Sequence, residues 1–206
     1  MYFRQEVINV MVQPSPVSAS FQLILDTAEQ LIREKGCRQT TLQDIIDRSG
    51  LSKGAIYHYV SGKDELFGLI LKSRMEEVNV KFFETVADQQ TASVNRPLQT
   101  IAEGMARSAE HLDVSNKIFI YLLGQMDNPK VAGLVRGIYE HTLATSSRWI
   151  GVGQENGVIP PSVDAQKMAM MFVTFLYGMR VQSVIDPERD ALALGDIYQM
   201  MFRSLQ

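Results

Sequence analysis

The twenty residues Thr41-Leu-Gln-Asp-Ile-Ile-Asp-Arg-Ser-Gly50-Leu-Ser-Lys-Gly-Ala-Ile-Tyr-His-Tyr-Val60 hold two short helices and the turn between them. Thr41 with Asp44 three positions later is in capping-box register, and Leu42, Ile45 and Ile46 form one apolar face behind it. Gly50 ends this helix, and Ser52 is a cap for the next, Lys53 to Val60. Upstream, apolar positions 21, 24, 25, 28, 31 and 32 have helical spacing, closed by Lys35-Gly36. Downstream, Ser61-Gly-Lys-Asp64 repeats the capping pattern and opens a long helix striped by Leu66, Phe67, Ile70, Leu71, Met75, Val78 and Phe82.

Three capped helices in so short a span, with a tight Ser49-Gly50-Leu51-Ser52 turn before the third, describe a helix-turn-helix. Such units place the second helix of the pair in the DNA major groove, its first residues at base edges. Ser52 and Lys53 are donors, Ala55 is a small apolar contact, and Tyr57 and Tyr59 add phenolic groups. Each also has a plain reading: a cap, a solvated charge, rings packed beneath the first helix. Gly54 separates the two, because a glycine inside a helix costs about 1 kcal/mol relative to alanine unless something must approach closely.

The chain has 206 residues, 46% of them hydrophobic, and a formal net charge of −3. Up to Lys63, seven bases face six acids, too slight an excess to identify a nucleic-acid binder by charge. The lone cysteine, Cys37, excludes an internal disulfide framework and a multi-cysteine zinc site. The three histidines, 58, 111 and 141, lack H-x-x-x-H spacing, and no serine elbow is present. Gly151, Gly153 and Gly157 have the wrong spacing for a phosphate loop. No catalytic residue, metal or cofactor is expected, and the chain does not read as an enzyme. The uncharged run Met168–Met179, bounded by Lys167 and Arg180, is too short to span a bilayer. Residues 1–17 carry Arg4 and Glu6 and show no secretory signal, so a cytoplasmic location with no membrane contact is expected.

Further helices are predicted near 97–112, 115–126, 129–155, 164–185 and 188–204, making the fold class all-α. The expected organisation is an arm over 1–17, a helix-turn-helix domain over 18–66, and a helical effector-binding and dimerisation domain over 67–206. Met168–Met179 is apolar on every face, as for a helix buried on all sides between a cavity and a second subunit. Leu194, Ile197, Tyr198, Met201 and Leu205 form one stripe fit for an interface. The last two helices are therefore expected to form a homodimer contact. Six of the eleven methionines lie between Met168 and Met201, where adaptable side chains suit a pocket or simply fill a core. Candidate walls are Phe119, Tyr121, Tyr139, Trp149, Phe172, Phe175 and Tyr177, and the effector is expected to be lipophilic or aromatic. Glu103, Glu110, Glu140 and His141 read as solvated faces or as groups orienting a polar ligand.

Ile24-Leu-Asp-Thr-Ala28, Lys35-Gly36, Thr40-Thr-Leu-Gln-Asp-Ile45, Ser49-Gly-Leu-Ser-Lys-Gly54, Ile56-Tyr-His-Tyr59 and Lys63-Asp-Glu-Leu-Phe67 together resemble the N-terminal domain of TetR-family bacterial repressors. The resemblance covers residues 20–67; beyond them it extends only to helix number and length. It implies a homodimer on a near-palindromic double-stranded operator, released when a small effector moves the fourth helix. It also implies that Thr41, Tyr57 and Lys63 contact phosphate, that Ser52, Lys53, Gly54 and Ala55 read the groove, and that His58 and Tyr59 are the aromatic pair beside them. Two positions depart from the family pattern: Val60 replaces a usual phenylalanine, and Cys37 a usual aromatic. Packing accounts for Cys37 better than redox chemistry, since it has no partner cysteine. The other reading weighed is an architectural or cell-division control protein of the same fold, recruiting a protein partner without a small-molecule switch.

Overall fold

The computed structural model describes residues 18–88, 94–188 and 192–206, and these form nine helices and no strand. The expected arm, residues 1–17, lies outside the described residues. The head consists of α1 (Ala19–Gln39), α2 (Leu42–Ser49) and α3 (Lys53–Tyr57), and α4 (Lys63–Ala87) leads out of it. The body adds α5 (Asn95–Ala109), α6 (Val114–Leu123), α7 (Pro129–Glu155), α8 (Ala165–Ile185) and α9 (Leu194–Ser204).

Local chemistry sets the head's boundaries. Ser18 accepts from the Phe21 N–H to start α1. α1 bends at Gly36 (φ +77°), where the expected terminus falls, but one further turn carries it to Gln39. The Thr41–Asp44 capping box forms in full, and Gly50 ends α2 in the left-handed conformation (φ +69°). Ser52 Oγ accepts from the Ala55 N–H at 3.2 Å, and α3 closes at Tyr57, three residues earlier than the pattern predicts. The expected Ser61–Asp64 box is displaced by one: the Ser61 N–H and hydroxyl both donate to Glu65 at 2.7 Å, which frees Asp64 for a tertiary contact.

Ile24, Ala28, Ile32, Ile45, Ile56, Leu66 and Phe67 are all fully buried and make the head's core. That core continues without a gap into Ile118, Phe119, Leu122 and Val131 of α6 and α7. α4 runs through the expected 66/67 boundary as one helix, and Gly68 lets it press against Leu134 of α7, where a Cβ would stand 2.7 Å from the leucine. Ion pairs Lys35–Asp44 (2.7 Å) and Arg48–Glu34 (2.6 Å) clip α1 to α2. The first, with the Thr41 bonds, holds the Asp44 carboxyl down at about 2. Its folded pKa lies below the unfolded value, so the stability it adds is present at neutral pH and is lost as pH falls toward 2.

The body is built around α8, which packs against α7 and α5. The helix is longer than the twelve-residue run it contains: 21 residues with a mean hydropathy of 1.4 over its best window, enough by length and composition to cross a bilayer. Its neighbours here are protein helices on one side only. Phe172, Val173, Met179 and Arg180 face inward, while Met170, Met171, Val181, Val184 and Ile185 are exposed. Within one chain the helix is buried on one side only, and the face expected to meet a second subunit is exposed. The α9 stripe is also spent differently, because Ile197, Met201 and Leu205 are buried within this chain, with α9 lying on α5. An amphipathic stripe requires a partner but does not say from which chain it comes.

Candidate nucleic-acid interface and ligand cavity

α3 stands on the surface. Ile56 and Val60 anchor it in the head core, leaving Ser52, Lys53, Gly54, Tyr57 and His58 exposed, with Ala55 half-buried at the edge. Lys53 lies over the Tyr57 ring, Nζ 5.6 Å from its centroid, and Tyr57 is 47% exposed. A cation braced on a phenol gives two donors a shared outward direction. Around Gly54 the nearest atom a Cβ would meet is Ser52 Oγ at 3.9 Å, so nothing within the chain requires glycine there. Gly54→Ala is therefore expected to raise thermal stability by up to about 1 kcal/mol through helix propensity. Duplex affinity should fall in the same variant. Circular dichroism melts and fluorescence anisotropy on one sample check both signs, and unchanged DNA affinity would remove the close-approach reading.

Thr41 is exposed, but its hydroxyl donates to Asp44 at 2.6 Å and accepts from the Asp44 N–H, so it caps before it can touch anything else. Tyr59 differs more from its expected place. Its hydroxyl pairs with Ser18 Oγ at 2.7 Å and its ring packs on Phe21 at 5.0 Å, which makes it a strut under α1.

Lys63 departs furthest. Its ammonium donates to the carbonyls of Cys37 (3.2 Å), Arg38 (3.1 Å) and Thr40 (3.2 Å), closing the C-terminal end of α1. Three donors on three carbonyls leave none for a phosphate. Nζ also lies 5.3 Å from the centroid of Tyr121, whose hydroxyl donates to Asp64 at 3.0 Å. Lys63→Ala is accordingly expected to cost about 1–2 kcal/mol in urea unfolding, with the salt dependence of DNA binding unchanged. A slope reduced by about one unit per half-site would restore the phosphate role. Burial meanwhile pushes the Cys37 thiol up to about 11, leaving it protonated at neutral pH.

The second site is a cavity of about 490 Å³ between α4, α5, α6, α7, α8 and the end of α9, within the size range of small-molecule sites. Phe119, Trp149, Phe172 and Tyr177 line it as expected. Tyr139 does not; it touches Tyr177, ring centroids 6.1 Å apart, from outside the wall. Phe175 lies instead in a shallow apolar groove between α8 and α9, with Met170, Met171 and Met200. Phe172, Leu176 and Arg180 repeat at four-residue spacing along the cavity face of α8, which Phe175 is off-register to join. Tyr121 likewise serves the head junction. Glu103, Glu110 and Glu140 are exposed and outside the wall, and His141 pairs with Glu76 at 3.0 Å. Sequence reasoning missed Arg180, Phe82 and the polar Thr142, Ser115 and Asp113. Trp149 is fixed by its indole N–H, which donates to Asn79 at 2.9 Å, and by Phe82 at 5.4 Å.

The geometry is that of an exposed helix-turn-helix carried by a helical body with an internal cavity. Residues 24–70 match the family described as bacterial regulatory proteins, tetR family. YfiR, an HTH-type transcriptional regulator of Bacillus subtilis strain 168, is 26% identical over 173 residues, 84% of this chain and 83% of that protein. The HTH-type transcriptional repressor KstR2 of Rhodococcus jostii is 28% identical over 149 residues, 69% of each chain. The fold is shared with the transcriptional regulator FadR of Bacillus subtilis in complex with stearoyl-CoA, at a TM-score of 0.66 and 17% identity, covering 90% of this chain and 100% of that one. Residues 24–70 are thus a TetR-type DNA-binding domain, and the relatives matched over most of the chain are transcriptional regulators.

Proposed function

We propose that the protein is a cytoplasmic, homodimeric transcriptional repressor that leaves a near-palindromic operator when a small apolar or amphipathic effector fills the cavity. Lys53, Gly54 and Ala55 enter the major groove, and Ser52, Tyr57 and His58 flank them. Thr41 adds a phosphate contact at the mouth of α2. The observation that carries the reading is the cavity of about 490 Å³ within the helical body, where a protein-recruiting architectural factor needs only a filled core. The FadR complex with stearoyl-CoA supports a lipophilic occupant by analogy.

α6 supplies a physical route from cavity to head. Its ten residues span about 15 Å. At one end Phe119 and Ser115 line the cavity, and Asn116 donates to Ser183 Oγ (2.9 Å) and to the Arg180 carbonyl (3.3 Å). At the other end Tyr121 braces Lys63, Asp64 and Phe67 at the start of α4. A ligand that fits only one setting of α6 thereby biases the direction in which α4 carries the head.

Dimerisation supplies the second head. The exposed Met170, Met171, Val181, Val184 and Ile185 of α8, continuous with the α8–α9 groove, form the apolar face that a second copy covers. The test is anisotropy of the purified protein on duplexes from beside its own gene, with and without effector candidates that quench Trp149. Dimer binding that is lost on ligand addition supports the proposal. Tight, ligand-indifferent binding with capture of a defined protein partner would favour the architectural reading instead.

A further inference from the structure

One group is out of place in the cavity's mostly apolar wall. Arg180 on α8 is 9% exposed, and its Nε is buried with no hydrogen-bond partner. No ion pair of its guanidinium is present among the described residues. The group instead stacks over Phe119, 5.0 Å from the ring centroid, and Phe119 rests on Tyr177 at 4.6 Å. Asp113 is the acid whose charge acts on it, but it makes no ion pair with Arg180, and its Oδ1 accepts from the Ser115 N–H at 2.7 Å and from the Ser115 hydroxyl at the start of α6. Burial lowers the Arg180 pKa to about 10, which still leaves it cationic at neutral pH. An unpaired cation in an apolar wall destabilises a fold unless something arrives to pair with it. Stacking on Phe119 fixes the guanidinium plane and leaves its remaining donors to the cavity's occupant.

We infer that the cavity binds an amphipathic organic acid, its carboxylate seated on Arg180 and its apolar body along Phe82, Trp149 and Phe172. The inference rests on the effector reading above and narrows it. A planar carboxylate matches the guanidinium fork in shape and cancels one charge with one. A phosphate dianion would leave a second charge buried, since the other cations of the cavity, Arg74, Lys81 and Arg107, stand at its rim among Glu77 and Asp88.

The experiment uses the intact protein and its single tryptophan, Trp149. Dodecanoate and naphthaleneacetate are each titrated beside their primary amides at neutral pH, following quenching. The acids should bind about ten- to a hundredfold more tightly than the amides, and the ratio should fall to about one in Arg180→Gln. Arg180→Lys should retain a preference for the acids. Without ligand, Arg180→Gln should melt no lower than the wild type, because it removes an unpaired charge. Equal affinity for acid and amide in the wild type, a ratio that survives Arg180→Gln, or no quenching by any of the four overturns the assignment. So does an Arg180→Gln protein that melts well below the wild type, which would make the arginine a packing residue. An acid that binds through Arg180 yet leaves the dimer on DNA defeats the effector-control reading and leaves the ligand class standing.

Discussion

Replacing Lys53 by alanine is expected to weaken binding to the cognate operator by about 1–3 kcal/mol per half-site, and by twice that for a symmetric dimer. The side chain is exposed, projects from the first turn of α3 and is braced on Tyr57. The proposed role is reading a guanine edge rather than merely attracting phosphate. The loss should therefore be selective. Competition titrations with cognate and scrambled duplexes separate the two cases: a Lys53→Ala protein that loses equally on both has lost a phosphate contact only. Stability should scarcely change, since the pair with Tyr57 lies at the surface.

The largest stability effect is expected at Phe67. It is fully buried, meets Tyr121 edge-on at 5.5 Å, and sits where the head core and the α6–α7 core become one. Phe67→Ala should cost about 3–5 kcal/mol, as large-to-small changes in such sites do. For a chain of this size that lowers Tm by roughly 2–4 °C for each kcal/mol. Because the core is continuous, head and body should unfold together in a single transition, in wild type and variant alike. A cost below about 1 kcal/mol, or separate melting of head and body, would show that α4 does not couple them.

The head was legible because its signals are local. Thr41 and Asp44, Gly50, and Ser52 each act within four residues, and each does in the structure what its spacing predicts. Lys63 was not legible, because the carbonyls it closes lie 23 to 26 residues away and no local pattern announces them. For the cavity, four of the seven aromatic candidates line the wall, but composition does not assign a helix face. Tyr121, Tyr139 and Phe175 lie off it for that reason. Arg180 was read as the charge that bounds an apolar run. The missed signal is that the apolar helix continues past it to Ile185, so that the charge falls inside the element. The α9 stripe was correctly seen as a stripe, yet α5 of the same chain covers most of it.

Selection of bound duplexes from a random pool by the full-length protein tests the central claim most directly. The account predicts enrichment of a two-fold symmetric sequence whose half-sites are centred about one helical turn apart, with base preference altered when Lys53→Ala replaces the wild type. A pool that stays random after repeated rounds, or a motif that Lys53→Ala selects unchanged, would contradict it.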